Sequence, residues 1–394
     1  MTTGVVITGP VSPADIADLL AEPDLTLARS IPGYRGVPTS ELVRALVGLG
    51  TQVEVVTCAT EVEDRIELRG PGLRVLVGPQ RERARDLARD LFRQERRAMG
   101  ALLRQTQSDV IHALWTYEFA WAALDTGRLV LVTAHDAPLT VLRHVRDPYR
   151  AVRAAIAYIV RPRIRNLTAV SPYLAQRWRR EMLYRRPIAV IPNIAPRLMT
   201  DAKRIERGSV LVDVSDAGPL KNVAALIEAF ALLRAEGRDV TLELVGPGLG
   251  EGDRLAEATR AQGRADGIRF RGPLDRSETG AVLACGAVFV HPSREESFGL
   301  SVAEAMNAGL PVVAGRRAGA LPWVLGGAGL LVDVERPVEI ADAVRRLLDD
   351  EHAARGLADR GRKRAADCFS PEVVAHAYLD AYEETRRNGR RHSR

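Results

Sequence analysis

Lysine is scarce in this chain of 394 residues, and its scarcity points to one position. Lysine occurs only at 203, 221 and 363, whereas arginine supplies the other 53 of the 56 basic residues. Because nearly every other basic position accepts arginine, the lysine at 221 is a candidate for a specific role. The formal net charge of +6 is small for this length, and the sequence contains no recognition-helix, zinc-finger or RNA-binding signature. We therefore expect no nucleic-acid partner.

Cysteines and long apolar runs are also few. Cys58, Cys285 and Cys368 form no Cys-x-x-Cys pair, so they predict buried thiols in a reducing compartment rather than a zinc site or a disulfide framework. No apolar run is long enough to cross a bilayer. No basic region precedes an apolar core at the N-terminus, which argues against a secretory signal. Together these absences predict a cytoplasmic protein, and no cluster of residues indicates a metal site.

Length and element order predict two domains. A chain of this length can bury two full cores, and predicted strands alternate with predicted helices through both halves, as in doubly wound α/β domains. Scattered charges and weak periodicity indicate a linker at 197–208, between domains at 1–196 and 209–370. A helix over 371–386 is expected to return to the first domain. The basic residues at 387–394 are expected to be disordered.

The first half contains several readable elements. An amphipathic helix over 40–46 precedes a strand over 52–57, and leucines at helical spacing predict one long helix over 81–107. A later apolar strand over 129–133 carries His135 to its carboxyl end. Ligands gather at the carboxyl ends of strands in open parallel sheets, so His135 is a candidate site residue.

The stretch 291–313, which reads HPSREESFGLSVAEAMNAGLPVV, is the most informative part of the sequence. It leaves an apolar strand, passes through a loop of small residues and enters a helix expected over 301–307, with Gly309 as its stop. Two carboxylates, Glu296 and Glu304, lie eight positions apart. The residues between them reach the first turn of the helix, where unpaired N–H groups and the helix dipole can bind phosphate or sugar oxygens.

Three phrases in this stretch resemble the signature of the retaining GT-B glycosyltransferases of family four. They are Pro-Ser-x-x-Glu-Ser-Phe-Gly-Leu, Glu-Ala-Met and Gly-x-Pro-Val-Val. The resemblance implies the GT-B fold, in which two Rossmann-like, doubly wound α/β domains face each other across a cleft. The implied contacts to the donor sugar are Glu296, Phe298, Gly299 and Leu300. Glu304 would hold the ribose of the nucleotide.

Two further phrases resemble the family and imply roles for single residues. His135 stands in a Thr-x-His-Asp phrase, and the resemblance gives it a contact with the donor sugar. Lys221 matches a lysine that clamps the donor diphosphate in the family. The arginine expected five residues before it is Asp216 here, so half of the phosphate clamp is missing. The candidates for the missing positive charge are Arg35, Arg271 and Arg294.

Glycine turns and one strand complete the implied donor site. The family has a paired glycine facing the diphosphate, whereas this chain has none there. Gly36 is the best match, Gly33 is the alternative, and a plain turn is the other interpretation. By resemblance, Gly246 lies in a tight turn near a phosphate or base. Phe270 and Arg271 would line the nucleotide base.

An arginine-rich segment over 143–186 contains twelve arginines and only two acidic residues. An apolar helix is expected within it, at 151–160. The segment is either a packed helix flanked by solvated arginines or a surface that meets an anionic acceptor or a membrane. The charges do not form a stripe beside a large apolar face, which favours a soluble acceptor over a membrane contact.

The resemblance implies a retaining, metal-independent glycosyltransferase that needs no cofactor and uses a nucleotide-diphosphate sugar as co-substrate. UDP-glucose or UDP-N-acetylglucosamine is the first expectation for the donor, and GDP-mannose is the second. The expected acceptor is a hydroxyl of a small soluble molecule or glycan, with a lipid-linked acceptor at a membrane surface as the alternative. Two other functions stay open. One is a GT-B phosphorylase or epimerase, and the other is a catalytically silent sugar-nucleotide-binding protein, which Asp216 suggests.

Overall fold

The structure, a computed structural model, describes three parts of the chain: 4–34, 36–196 and 209–392. The chain divides into two compact units. Unit 1 comprises Met1–Ile194 and Pro371–Arg394, and unit 2 comprises Ala195–Ser370. The linker expected at 197–208 lies outside the described residues.

Unit 1 is built on one sheet of eight strands. They are β1 (Val5–Thr8), β2 (Val53–Ala59), β3 (Ile66–Gly70), β4 (Leu73–Pro79), β5 (Val110–Leu114), β6 (Leu129–Ala134), β7 (Asn166–Ala169) and β8 (Ile188–Val190). Their order is β3-β4-β2-β1-β5-β6-β7-β8, and all neighbours are parallel except β3 and β4. The short apolar strands at the centre are buried throughout, as parallel strands covered on both faces require. The antiparallel hairpin of β3 and β4 at the edge is not among the elements predicted from the sequence.

Helices connect these strands, and two short 3₁₀ helices lie at Ala14–Leu19 and Arg161–Arg163. The α-helices are α1 (Asp24–Arg29), α2 (Val37–Gly48), α3 (Ala84–Arg89), α4 (Arg93–Leu103), α5 (Glu118–Leu124), α6 (Pro138–His144), α7 (Pro148–Val160) and α8 (Pro172–Glu181). Helix α7 contains the apolar segment for which the sequence predicts a helix.

The prediction of a single long helix over 81–107 is wrong, because the helix is interrupted between α3 and α4. Leu91 and Phe92 take left-handed backbone angles, with φ of +55° and +60°, and the Phe92 ring is buried. Arg81 joins the two sides of the break, since its guanidinium donates to Asp90 at 2.8 Å and to Glu95 at 2.7 Å. The spacing of leucines continues across the break, so periodicity alone does not reveal it.

Unit 2 is built on a second sheet, of six parallel strands. They are β9 (Val210–Val214), β10 (Thr241–Val245), β11 (Ile268–Gly272), β12 (Val288–His291), β13 (Val312–Gly315) and β14 (Gly329–Val332). The order is β11-β10-β9-β12-β13-β14. The connecting helices are α9 (Val223–Ala235), α10 (Arg254–Ala261), α11 (Arg276–Cys285), α12 (Leu300–Ala308), α13 (Leu321–Leu325), α14 (Pro337–Asp349) and α15 (Glu351–Phe369). The prediction of doubly wound α/β domains is confirmed.

The strand order of unit 2 places one crevice at its centre. The chain first builds outward from β9 through β10 to β11, and then crosses to β12 on the other side of β9. The connections after β9 and β12 therefore leave in opposite directions, which opens a ligand crevice outside the carboxyl ends of these two strands. The loops there carry Lys221 and Glu296.

The last helix, α16 (Pro371–His392), belongs to unit 1. Tyr382 on α16 shares a hydrogen bond of 2.9 Å with the Nδ1 atom of the buried His112 on β5. Burial lowers the pKa of His112 to about 3, so its imidazole is neutral. Near the end of the helix, Arg386 bonds to the Asp109 carboxylate at 3.1 Å and to the Gly4 carbonyl at 3.0 Å. The expectation of disorder over 387–394 is wrong for residues 387–392, which continue α16. Residues 393 and 394 lie outside the described residues.

The described residues contain no membrane span, no group of metal ligands and no disulfide. None of their helices is long and apolar enough to cross a membrane. None of their His, Cys, Asp and Glu side chains form a group of three or more that could hold a metal ion. Their three cysteines are free thiols, with Cys58 buried.

Candidate active site

A buried aspartate lies at the carboxyl end of β9, in an otherwise apolar strand. Asp213 is fully buried, and a buried carboxylate requires hydrogen-bonding partners. One oxygen accepts a hydrogen bond of 2.5 Å from the Ser215 hydroxyl. The other lies 3.0 Å from the Nδ1 atom of His291, at the end of β12. The strands β9 and β12, whose connections leave in opposite directions at the topological switch point of the sheet, are thus joined by a polar contact.

His291 continues this contact to the two residues that the sequence analysis places in the site. Its Nε2 atom lies 2.9 Å from the Oε1 atom of Glu296. The same oxygen accepts a hydrogen bond of 2.5 Å from the Lys221 ammonium. We call Asp213, His291, Glu296 and Lys221 the unit 2 charge cluster.

The charges in this cluster fix one another. Burial alone lowers the pKa of His291, but the hydrogen bonds that it donates to Asp213 and Glu296 outweigh burial and raise this pKa to about 9. Burial alone raises the pKa of Glu296, but the charge of Lys221 and the bond to His291 lower it to about 2. Burial lowers the pKa of Lys221, and Glu296 reverses this and raises it. At neutral pH the cluster therefore holds a carboxylate between an imidazolium and an ammonium.

The loop that carries Lys221 is braced from two sides. Asn222 takes a left-handed conformation, with φ of +55°, and donates to the Val334 carbonyl at 2.8 Å. The Leu220 carbonyl accepts from the Ser293 hydroxyl at 3.2 Å and from the Arg294 backbone N–H at 2.7 Å. The lysine therefore starts from a fixed backbone, and only its side chain is free to move.

Three arginines are candidates for the missing positive charge. The structure describes two of them, and each is paired with a carboxylate. Arg294 binds both oxygens of Glu335, at 2.6 and 2.9 Å. Arg271 donates to Glu243 at 2.6 Å. The third candidate, Arg35, lies outside the described residues.

Asp216, at the position of the family's arginine, is exposed. Its Oδ1 atom accepts a hydrogen bond of 2.6 Å from the backbone N–H of Gly218, which closes a tight turn. Its charge also contributes to the raised pKa of Lys221. The structure thus places a negative charge near the lysine where the family has a positive one.

Helix α12 begins one residue earlier and ends one residue later than expected. Gly299, with φ of +91°, precedes its first residue, Leu300, and Gly309 ends it. Phe298 is buried, and its ring lies 5.3 Å from the Phe369 ring, centroid to centroid. Only the backbone of Phe298 is therefore left for a donor. Glu304 lies within the helix, and its predicted contact with ribose stays a prediction.

The turn after β10 is tightly packed against the turn after β9. A Cβ atom at Gly246 would overlap the Ser215 carbonyl, and the N–H of Gly246 already donates to the Gly272 carbonyl at 2.8 Å. Phe270 is buried in the hydrophobic core of unit 2. The two residues therefore shape the turn and the core, and their contacts with a nucleotide stay predictions.

Gly36 in unit 1 has a packing reason to be glycine. A Cβ atom there would overlap the Pro10 carbonyl in the connection after β1. Gly36 also stands immediately before α2, so the first turn of that helix follows it. The alternative, Gly33, lies in a separate turn with φ of +51°. Packing explains the glycine at 36, and backbone conformation explains the glycine at 33. The contact of either with a diphosphate stays a prediction.

His135 follows β6, as the sequence predicts. Burial lowers its pKa to about 4, so the imidazole is neutral at physiological pH. Its Nε2 atom is buried and has no hydrogen-bond partner within the residues that the structure describes. A buried ring nitrogen without a partner in the described residues, at the carboxyl edge of a sheet, is a candidate for a ligand contact.

A second polar group in unit 1, the Arg153 cluster, was not found from the sequence. It consists of Arg153, Trp115, Tyr117, Glu118 and Asp136. The guanidinium lies 4.4 Å above the Trp115 ring and 4.0 Å above the Tyr117 ring. It forms an ion pair of 3.7 Å with Glu118, and Tyr117 donates to Asp136 at 2.7 Å. The group collects residues from the connections after β5 and β6 and from α7.

The Arg153 cluster is incompletely satisfied. Both oxygens of Glu118, and the Nε and Nη2 atoms of Arg153, have no hydrogen-bond partner in the described part of the chain. Burial raises the pKa of Glu118, and the charge of Arg153 opposes this. Burial raises the pKa of Asp136 in the same way. Unpaired buried polar atoms are costly, and their concentration here indicates a site for a polar ligand.

Two family models match the chain, one on each unit. The model described as Glycosyltransferase Family 4 matches residues 37–195, and the model described as Glycosyl transferases group 1 matches residues 209–350. Together they cover most of the chain.

Two curated relatives show how far the likeness extends. The MMP alpha-(1->4)-mannosyltransferase of Mycolicibacterium hassiacum is 36% identical over 181 residues, which are 45% of this chain and 43% of the relative. The D-inositol 3-phosphate glycosyltransferase of Streptomyces avermitilis is 30% identical over 277 residues, which are 68% of this chain and 54% of the relative. The chain thus spans about half the length of the curated relatives it matches.

A solved structure supports the fold. The sucrose-phosphate synthase from Thermosynechococcus elongatus superposes with a TM-score of 0.76, covering 97% of this chain and 98% of that chain at 23% identity. This likeness establishes the GT-B fold. With a matching family model on each of its two units, the chain belongs to the group 1 glycosyl transferases, that is, to glycosyltransferase family 4.

Proposed function

We propose that this protein transfers a sugar from a nucleotide-diphosphate sugar to a hydroxyl acceptor, with retention of the anomeric configuration. The observation that carries the proposal is the unit 2 charge cluster at the topological switch point. It combines an ammonium for a diphosphate with a carboxylate for sugar hydroxyls, beside the first turn of α12. Family membership supports this assignment of ligands.

The reaction proposed here uses neither a metal nor another cofactor. A diphosphate needs positive charge and hydrogen-bond donors, and protein groups offer both. Lys221 supplies a compact, mobile charge, while the backbone N–H groups of the first turn of α12, which have no partner within the helix, can donate to phosphate or sugar oxygens. The described part of unit 2 places these groups on the two loops that flank the switch point.

A thermal-shift panel tests the donor. UDP-glucose and UDP-N-acetylglucosamine are the first expectations and GDP-mannose is the second, so the panel compares UDP, GDP and their sugars. A ligand at a hundred times its dissociation constant adds about 2.7 kcal/mol to the free energy of unfolding, a shift that is easily measured. The stabilising donor is then incubated with a panel of hydroxylated acceptors. A chain that binds none of these nucleotides would contradict the proposal.

We propose that the acceptor is a small polyhydroxylated molecule that contacts the Arg153 cluster. The unpaired nitrogens of Arg153 can donate to hydroxyl or anionic oxygens, and the unpaired oxygens of Glu118 can accept from hydroxyls. One relative is named an inositol 3-phosphate glycosyltransferase, so phosphorylated and unphosphorylated polyols both belong in the panel. Co-sedimentation with anionic vesicles that fades as salt increases would favour a lipid-linked acceptor instead.

Replacing Glu304 by alanine should weaken the binding of a ribonucleotide more than that of its deoxyribose counterpart. A carboxylate that accepts from ribose hydroxyls makes charge-assisted hydrogen bonds worth roughly 1.5–3 kcal/mol, or about ten- to a hundredfold in affinity. Calorimetry with UDP or GDP and the matching 2′-deoxynucleotide measures the difference directly. Equal losses for the two nucleotides would exclude the ribose contact.

Replacing His135 by alanine should reduce turnover by about ten- to a hundredfold and leave nucleotide affinity nearly unchanged. The neutral imidazole presents its unpaired Nε2 atom for a sugar hydroxyl, and a contact that improves in the transition state affects turnover rather than binding. Steady-state kinetics and calorimetry separate the two effects. A loss in nucleotide affinity as large as the loss in turnover would show that His135 does not act on the sugar.

A catalytically silent sugar-nucleotide-binding protein is the second candidate function. Asp216 favours it, because a carboxylate near Lys221 reduces the positive charge available to a diphosphate. Such a protein would bind the donor and leave it intact. Slow hydrolysis of the donor by the purified protein, absent from the Glu296→Gln variant, would count against this candidate.

A further inference from the structure

Two cations share one oxygen of Glu296, and they differ in mobility. Both the imidazole of His291 and the ammonium of Lys221 bond to Oε1, and neither of these bonds uses Oε2. His291 is buried at the end of a central strand, and its other ring nitrogen is held by the fully buried Asp213. Lys221 reaches the same oxygen through four methylene groups, so it can leave while the histidine cannot.

We propose that His291 is a positioning residue that keeps Glu296 ionised and oriented when a donor diphosphate draws Lys221 away, and that Asp213 fixes its imidazole. The proposal rests on the proposed function for the identity of the ligand. It assigns roles to two residues that the motifs of this chain do not include.

The reason lies in the cost of an unpaired buried charge. When Lys221 turns to a diphosphate, Glu296 loses one of its two cationic partners. A buried carboxylate without a partner would take up a proton and could no longer accept hydrogen bonds from sugar hydroxyls at both oxygens. The imidazolium of His291 remains in place and prevents this.

The two carboxylates that contact His291 favour its cationic form, whereas the ammonium of Lys221, which shares an oxygen of Glu296 with it, opposes that form. Asp213 comes from β9 and Glu296 from the loop after β12, and both raise the pKa of His291, to about 9. Lys221 and Asp216 come from the loop after β9, and the charge of Asp216 contributes to the raised pKa of Lys221. Departure of the ammonium removes a positive neighbour, so His291 stays protonated when the donor binds.

Replacing His291 by glutamine tests the role in turnover. Glutamine retains an N–H donor that can reach Glu296, but it carries no charge. We expect turnover to fall by about ten- to a hundredfold, the range for a lost charge-assisted hydrogen bond, while the dissociation constant of UDP or GDP changes by less than about threefold. The control is His352→Gln, an exposed histidine on α15 of the same unit, which should behave as the wild type.

The pH profile distinguishes positioning by charge from mere packing. In the wild type, kcat/KM should fall as pH rises through about 9, where His291 loses its proton in the free protein. The variant His291→Gln should lack this alkaline limb. The limb cannot come from Lys221, because the pKa of that residue is raised above its ordinary value of 10.5. Persistence of the limb in the variant, or unchanged turnover, would overturn the proposal.

A measurement on the unmodified chain is independent of turnover and of the folding of any variant. Nitrogen-15 spectra of the imidazole rings, assigned through their bonds, report whether both nitrogens of His291 carry protons. We expect both to be protonated at pH 7.5, alone and with saturating UDP or GDP. A neutral ring in the nucleotide-bound protein would overturn the proposal. If no donor is turned over, the proposed function fails, and the spectra still decide the state of His291.

Discussion

Replacing Lys221 by alanine should weaken the binding of a nucleotide diphosphate by about ten- to a hundredfold. The ammonium offers charge-assisted contacts worth roughly 1.5–3 kcal/mol, and the structure shows no ready substitute among the two described candidates. Arg271 and Arg294 are each bound to a carboxylate. Asp216 adds negative charge near the lysine. We therefore expect the affinity for a diphosphate to depend more strongly on Lys221 than it would if an arginine shared the phosphate contacts.

Calorimetry with UDP or GDP and the corresponding nucleoside monophosphate measures this effect. The loss should be larger for the diphosphate, since the lysine serves the phosphates and not the base. The chain offers a matched control in Lys363, an exposed lysine on α15 that lies 3.5 Å from Asp367. Lys363→Ala should bind as the wild type does. Unchanged affinity in Lys221→Ala would show that another residue holds the phosphates.

Replacing Glu296 by glutamine should reduce turnover by roughly a hundredfold or more, the cost of removing one preorganised electrostatic group from an active site. The substitution also leaves the imidazolium of His291 and the ammonium of Lys221 facing a neutral amide. These two cations then repel each other and no longer hold the side chain in its orientation. Nucleotide affinity should change less than turnover, because the lysine remains available to the diphosphate.

The route of retention is tested on the wild-type protein. A double displacement needs a carboxylate close to the anomeric carbon and forms a covalent glycosyl-enzyme. On our proposal Glu296 instead binds sugar hydroxyls, and the leaving diphosphate takes the acceptor proton on the same face of the sugar. The negative charge that builds on the diphosphate is held by Lys221. No glycosyl ester of Glu296 should therefore accumulate in the wild type during turnover.

Mass spectrometry of peptides containing residue 296 and NMR of the product anomer measure these outcomes. A glycosylated Glu296 peptide or an inverted product would contradict the mechanism. The matched control is Glu257→Gln, which removes an exposed carboxylate from α10 of the same unit. It should retain full turnover and the retained anomer.

The elements that depend on local chemistry could be predicted from the sequence. Helix α12 lies within one residue of its expected bounds at each end, because Gly299 and Gly309 take left-handed conformations that favour glycine. The alternation of apolar strands with amphipathic helices predicts a doubly wound sheet in each half of the chain. The roles expected for Lys221 and Glu296 come from the phrases that resemble family four.

The partners of the charged residues could not be predicted, because they are set by strand order. Asp213 and His291 are 78 positions apart and meet only because β9 and β12 are neighbours in the sheet. A lone histidine at a strand end carries no sign of this. Arg153 belongs to the helical segment for which the sequence leaves open a packed helix or an acceptor surface. Its partners Trp115, Tyr117 and Glu118 come from the connection after β5, which the sequence does not link to this helix.

The return of α16 to unit 1 has a consequence for the order in which the chain folds during synthesis. Unit 2 is one continuous segment, so its six strands can pair as soon as residue 370 has been made. Unit 1 must wait for residues 371–392, whose Tyr378 and Tyr382 are buried in its core. A ribosome adding about 5–20 residues per second thus leaves the earlier segment with an uncovered apolar face for about 10 to 40 seconds. We therefore expect the N-terminal segment, although it is made first, to need chaperones more than the rest of the nascent chain does.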